Sequence, residues 1–219
     1  MKRTLLMVVF FGLIWMPVLA QTGTEKDQST GEQSVNGFTY GEVKAGYGIT
    51  QFSDGLKERF DGGSFSTSGG GLFSIAAYRK FEAVSHFHFG LKYKGLGALP
   101  SQGDNSQEMF FNFWGTSISA KYFPFSAAAT EGMYLQYDYN FITQFTQKYR
   151  NTSALEFDHQ FAIGRSFTFG FGYQFPLKDR TALVASLEYD WAARQGEVKG
   201  IGDKQFRNSN LAVQIGLNF

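Results

Sequence analysis

From residue 38 to Phe219 bulky apolar residues alternate with small or polar ones, in eight separate segments. Successive side chains on a strand point to opposite faces, so this period of two predicts eight β-strands, each with one apolar and one polar face. In the last segment Leu211, Val213, Ile215, Leu217 and Phe219 share one face, and Ala212, Gln214, Gly216 and Asn218 the other. Across residues 86–96, Phe87, Phe89, Leu91 and Tyr93 stand opposite His88, Gly90, Lys92 and Lys94. Across residues 165–175, Phe167, Phe169, Phe171, Tyr173 and Phe175 stand opposite Thr168, Gly170, Gly172 and Gln174. The other strands are expected over residues 38–52, 71–81, 108–123, 132–143 and 182–192. The facing of 71–81 is open, because Tyr78 and Arg79 compete for the outward side.

Each segment is about as long as the roughly 9–11 residues that a tilted strand needs to cross a bilayer. The interior of an eight-stranded barrel is just wide enough to be filled by side chains, so the bulky faces belong outside, against lipid. A secreted ligand-binding barrel alternates too, with its polar face in water. Here the polar faces are rich in Gly, Ser and Ala and carry few charges, which suits a crowded lumen better. The expected fold is therefore all-β, an antiparallel up-and-down transmembrane β-barrel of eight strands. Turning the polar faces inward places Glu42, Lys44, Lys92, Lys94, Lys121, Asp138, Glu188 and Asp190 in the lumen, four basic and four acidic. Opposite charges confined there should pair, because an unpaired buried charge is strongly disfavoured. A filled barrel follows, not a diffusion pore.

The connections alternate in length. Residues 82–85, 124–131 and 176–181 are short; 53–68, 98–107, 144–164 and 193–208 are longer. Short periplasmic turns and longer external loops are the habit of outer-membrane barrels, so both termini are expected in the periplasm. Pro124 and Pro176 fall where strands must stop, since Pro donates nothing to a ladder. Aromatic girdles are expected at both rims: Phe81, Phe123, Phe125, Phe175 and Phe219 on the periplasmic side, and Phe52, Phe110, Phe145 and Trp191 on the outer side.

Ahead of the strands, Lys2 and Arg3, an apolar run from Leu5 to Trp15 and the triplet Val18-Leu19-Ala20 read as a secretory signal peptide, residues 1–20, cut after Ala20. The polar stretch 21–37 reads as a flexible periplasmic lead-in, and 38–219 as one barrel domain. Loss of Lys2 and Arg3 turns the formal charge of +1 into about −1, which gives no reason to expect nucleic acid as a partner. The absence of cysteine excludes a lipoprotein anchor, a disulfide framework and a Cys-based metal site. Charged residues make up only 18% of a chain with 25 Phe, consistent with an apolar surface meant to stay exposed.

Candidate chemistry is sparse. Ser153, Glu156 and His159 bring a hydroxyl, a carboxylate and an imidazole to the third external connection, the types a nucleophilic hydrolase needs, but no Gly-rich elbow or oxyanion element accompanies them. His86 and His88 offer two imidazoles on one strand face without a third ligand, and packing is the simpler reading. Arg194, Lys199, Lys204 and Arg207 in the last external connection could meet lipopolysaccharide phosphates, diluted by Glu197 and Asp203. The Gly62-Gly63-Ser64 and Gly69-Gly70-Gly71 runs lack the flanking elements of a phosphate cradle, and Asn151-Thr152-Ser153 matches a glycosylation triplet by pattern alone.

The runs Ser119-Ala120-Lys121-Tyr122-Phe123-Pro124-Phe125 and Gly170-Phe171-Gly172-Tyr173-Gln174-Phe175-Pro176, with the aromatic last strand, resemble the small eight-stranded outer-membrane β-barrel family of Bacteroidetes type, OmpX-like and OmpA-barrel-like in architecture. The resemblance extends from residue 38 to Phe219. It implies that Leu217 and Phe219 form the signal read by the barrel-assembly machinery, and that the chain lives among outer-membrane lipid and lipopolysaccharide. The expected role is non-enzymatic, with no cofactor and a monomeric barrel whose external loops serve surface interaction or envelope integrity. The alternatives are a lipid-modifying, acyl hydrolase-like barrel using Ser153 and His159, and an accessory barrel of a secretion system.

Overall fold

A computed structural model of the protein describes residues 37–52, 67–102, 107–125, 131–151, 157–177, 180–198 and 202–219. The signal segment and nearly all of the lead-in lie outside the described residues. Eight strands follow one another: β1 (Gly37–Phe52), β2 (Thr67–Phe81), β3 (Phe87–Gln102), β4 (Gln107–Tyr122), β5 (Gly132–Asn151), β6 (Phe157–Pro176), β7 (Ala182–Val198) and β8 (Gly202–Asn218). Each pairs antiparallel with the next, and β8 returns to β1, closing the barrel.

The side-chain alternation is inverted relative to a water-soluble barrel. On β8, Leu211, Val213, Ile215 and Leu217 are exposed while Ala212, Gln214 and Asn218 are buried. On β6, Phe169, Phe171, Tyr173 and Phe175 are exposed and Ser166, Thr168 and Gln174 are buried. The facing of β2 is settled by partners: Tyr78 turns inward, its hydroxyl 2.8 Å from Ser119 Oγ, and Arg79 turns outward with its guanidinium 5.4 Å from the Phe81 ring centre. On β5 the alternation resets. Phe141 and Ile142 are both exposed between buried Asn140 and Thr143, where the register with β6 shifts. An extra residue in one strand flips every later side chain to the other face.

Three connections expected to be long are largely strand. Pairing of β3 with β4 continues to Gln102↔Glu108, of β5 with β6 to Arg150↔Phe157, and of β7 with β8 to Val198↔Gly202. Beyond the lipid both faces of a strand tolerate polar residues, so the ladder persists where the hydrophobic period fades. The connection 53–66 lies outside the described residues. At the other end the links are short: a 3-10 turn, Glu82–Val84, between β2 and β3, and residues 123–131 and 177–181. Of the expected girdle, Phe125, Phe175, Phe219 and Trp191 are exposed and Phe81 is half-buried. Phe123 departs from it: the ring is buried inside the barrel against Tyr134 and Val184, because its backbone leaves β4 on the inward parity of Lys121. The side chains of Phe52, Phe110 and Phe145 lie outside those described.

Closure depends on close backbone approach at the β1–β8 seam. The N–H of Gly41 donates to the Phe219 carbonyl at 2.7 Å, and the N–H of Phe219 donates to the Gly41 carbonyl at 3.0 Å. Higher in the seam, a Cβ on Gly216 would lie 2.0 Å from the Val43 carbonyl oxygen, an atom of the partner backbone that cannot step aside. Gly216→Val is therefore expected to abolish the folded, protease-resistant form, read as the trypsin-protected fraction after refolding into detergent. Gly71→Val, where an added Cβ meets nothing within 4 Å, is expected to leave that fraction unchanged. Equal yields from the two variants would refute the seam's dependence on Gly216.

Candidate functional site in the barrel lumen

The lumen is filled by a ladder of side chains drawn from every strand. At its centre runs a chain of alternating charge. Lys121 (β4) donates to Glu42 (β1), and Glu42 lies 3.3 Å from Lys44 on its own strand. Lys44 donates to Glu188 (β7) at 2.8 Å, Lys92 (β3) donates to both oxygens of Glu188 at 2.7 and 2.8 Å, and Lys92 reaches Asp138 (β5) at 3.0 Å. All six of these groups are buried. Above them Lys94, with its side chain 19% exposed, donates to Asp190 at 2.9 Å and to Thr168 Oγ1 at 2.7 Å. The barrel thus brings together all eight charged residues assigned to the lumen, four cations on four carboxylates.

Neutral groups add donors to Asp138 and Asp190. Ser119 donates to Asp138 at 2.5 Å, and Gln136 Nε2 donates to both Asp138 oxygens at 2.9 Å. Thr168 Oγ1 donates to Asp190 at 2.7 Å, and Asn140 Nδ2 to Thr168 at 3.1 Å. A carboxylate holding several donors besides its counter-ion needs little else from solvent, which is what makes ions tolerable in so narrow an interior.

Two layers escaped the sequence reading. Toward the short-turn end an aromatic cage holds Lys121: its ammonium lies 4.2 Å from the Tyr78 ring centre and 4.5 Å from that of Tyr134. Tyr40 stacks on Tyr78 at 5.4 Å, and its hydroxyl lies 2.9 Å from His88 Nδ1. The cage closes that end with rings, and cation–π attraction offsets part of the cost of burying Lys121. Toward the other end Arg194 turns inward from β7. Its guanidinium donates to Thr143 Oγ1, at 2.6 Å from Nη2, and to Asn208 Oδ1, and lies 5.3 Å from the Phe113 ring centre. Beneath it is a cavity of about 30 Å³ lined by Lys94, Asp190, Arg194, Asn208 and Asn210 among others, with room for about two waters.

Arg194 is thereby removed from the surface patch expected of the last connection; it follows the inward parity of Glu188 and Asp190 because β7 continues past residue 192. Of its intended companions, Lys204 and Arg207 lie on β8, Arg207 exposed, while Lys199 lies outside the described residues; Glu197 faces Asp203 in the β7–β8 register. His159 lies on β6 opposite Lys148, not in a loop, and Ser153 and Glu156 lie outside the described residues. His86 and His88 do not form a pair. His86 is exposed in the turn, its Nδ1 2.6 Å from the Phe123 carbonyl oxygen, while His88 is buried inside the barrel. Among the described residues no group of three or more His, Cys, Asp or Glu could hold a metal ion. Leu217 and Phe219 both point outward on the closing strand and its end.

Comparison with known proteins adds architecture only. No protein-family model matches the chain, and no curated protein sequence matches it. Among solved structures it is similar to Ail, the attachment invasion locus protein of Yersinia pestis, in complex with the heparin analogue sucrose octasulfate: 12% identity over 83% of this chain and 99% of that one, TM-score 0.48. It is similar to Neisserial surface protein A at 12% identity over 84% of this chain and 99% of that one, TM-score 0.49. A major outer membrane protein from Thermus thermophilus gives 13% identity, 83% and 98% coverage and a TM-score of 0.49. These likenesses bear on nothing beyond the fold that the strand register already establishes.

Glu188 is the carboxylate on which two lysines converge, so Glu188→Gln leaves Lys44 and Lys92 short of counter-charge. It is expected to destabilise the barrel by about 3–5 kcal/mol in urea titrations in lipid vesicles. The double variant Glu188→Gln/Lys44→Met restores the balance, with Lys92 on Asp138 and Lys121 on Glu42, and is expected to cost less than Glu188→Gln alone. A double variant less stable than the single one would refute the pairing scheme.

Proposed function

We propose that the protein is an integral outer-membrane barrel, non-enzymatic, with a closed lumen, and that its contacts with the outside are made at its lipid-facing wall and external rim. The single observation that carries this reading is the inverted polarity: lysines and carboxylates inside, with Phe, Tyr, Leu and Ile rings and chains outside. Those apolar groups would be strongly disfavoured in water, at about 25 cal/mol for each Å² of apolar surface, and are at home in hydrocarbon. Gly37, the first described residue, and Phe219 lie at the short-turn end, which the habit of outer-membrane barrels places in the periplasm. Leu217 and Phe219 then stand at the periplasmic rim of the last strand, where assembly machinery would meet them. The ion-pair core and the aromatic cage leave no path for diffusion and serve to stiffen the wall.

Membrane fractionation followed by electrophoresis with and without boiling tests this reading. The protein is expected to stay with outer membranes washed in urea, to migrate differently before and after boiling, and to give no porin-sized conductance steps in planar bilayers. Recovery of the mature chain in the soluble fraction without detergent would overturn the proposal, and porin-sized steps would overturn the closed lumen.

A further inference from the structure

The outward face of β6, β7 and β8 changes character abruptly near the end away from the short turns. In one row Phe167, Trp191 and Ser209 stand side by side, with the Phe167 and Trp191 rings stacked at 6.5 Å and 19°. The row nearer the short turns is Phe169, Tyr189 and Leu211, exposed and wholly apolar apart from the Tyr hydroxyl. In the row beyond, Arg165 and Arg207 both face Ala193, one from each side, and both arginines are exposed. One row further, Ile163 and Gln205 flank Gln195, and both glutamines are exposed. Adjacent strands lie about 4.8 Å apart, so the two arginine Cα atoms are roughly 10 Å apart across the small side chain of Ala193. Two side chains as long as that of arginine can reach one anion from that spacing. Two rows beyond the arginines the register sets Glu197 opposite Asp203.

We propose that this strip is a binding site for a phosphorylated glycolipid of the outer leaflet, Arg165 and Arg207 clasping its phosphate while its acyl chains lie along Phe167, Trp191, Tyr189, Phe169 and Leu211. This rests on the outer-membrane reading above and adds to it a specific site. One feature favours a lipid over a free anion, and the chemistry of arginine favours phosphate. The arginines sit at the upper edge of the apolar wall, so the phosphate is held where a headgroup must be. Arg binds phosphate oxygens in bidentate fashion through charge-assisted hydrogen bonds. Among the described outward-facing side chains of the strands, Arg165 and Arg207 are the cations at this end and Arg79 lies at the opposite end. Amide groups of Gln195 and Gln205 stand directly outward of the phosphate position, placed to hydrogen-bond the sugar of the headgroup.

Native mass spectrometry of the folded barrel in detergent tests the site with three probes: bis-phosphorylated lipid A, the same lipid with its phosphates removed, and inorganic phosphate. The natural chain is expected to retain lipid A about tenfold better than the phosphate-free lipid. Arg165→Gln/Arg207→Gln is expected to bring the two lipids within about twofold of each other, and Arg165→Lys/Arg207→Lys to keep part of the preference. Boiling-sensitive migration of each sample shows that the barrel itself is intact, so loss of the preference with that shift retained is specific to the site. Should the glutamine variant not fold, high salt on the natural chain provides the second test, because screening is expected to weaken lipid A and spare the phosphate-free lipid. Equal retention of both lipids by the natural chain, an unaltered preference in the folded glutamine variant, or displacement of lipid A by millimolar inorganic phosphate would each overturn the proposal.

Discussion

Hydrocarbon offers no hydrogen-bond partner to a free sheet edge, and the whole molecule follows from that constraint. A sheet in lipid must return to its first strand, so β8 pairs with β1 along residues 208–218 and the C-terminal Phe219 exchanges backbone hydrogen bonds with Gly41. Closure then divides the side chains into an outer set that meets lipid and an inner set that meets only itself. The period of two along the strands, interrupted at Phe141 and Ile142 of β5, is the record of that division, and Gly216 at the seam is the record of how closely the two backbones must approach.

With eight strands the inner set has little room, and this decides what kind of interior is possible. Charges can enter only in company. Lys121, Glu42, Lys44, Glu188, Lys92 and Asp138 come from five strands and form one alternating sequence, so each cation lies beside an anion from another strand or from the next inward position of its own. Such a network ties the wall across the barrel as well as around it. Rings around Lys121 fill one end, and Arg194 with Thr143 and Asn208 narrows the other.

The fold was legible because alternation is a local signal that a tertiary structure of this kind obeys almost everywhere. The lumen charges were legible for the same reason, Glu42 and Lys44 sharing a parity opposite to Val43 and Ala45. Where the reading failed, bulk had been allowed to override parity. Tyr40, Tyr78, Tyr134 and Phe123 all carry the inward parity, yet size argues for the rim at Phe123 and leaves the facing of Tyr78 open; the register shows how neighbouring strands make the space, Gly172 of β6 lying against the Tyr134 ring. Arg194 was misplaced because strand length was judged by hydrophobicity, which fades at the membrane edge while the β7–β8 ladder does not. The reset at Phe141 and Ile142 leaves no local mark stronger than two adjacent apolar residues. The Arg165–Ala193–Arg207 row needs the register of three strands, which sequence spacing alone cannot supply.

Along β6, as along most of the wall, alternate residues face outward and into the barrel. Because the chain contains no cysteine, single cysteines can be placed in turn at positions 167 to 171 of β6, spin-labelled, and their accessibility measured in bilayers by electron paramagnetic resonance. The structure predicts that labels at 167, 169 and 171 collide with lipid-dissolved oxygen, and that labels at 168 and 170 are shielded from it. A uniform profile, or labels at 167, 169 and 171 that respond instead to a water-soluble nickel reagent, would contradict the account.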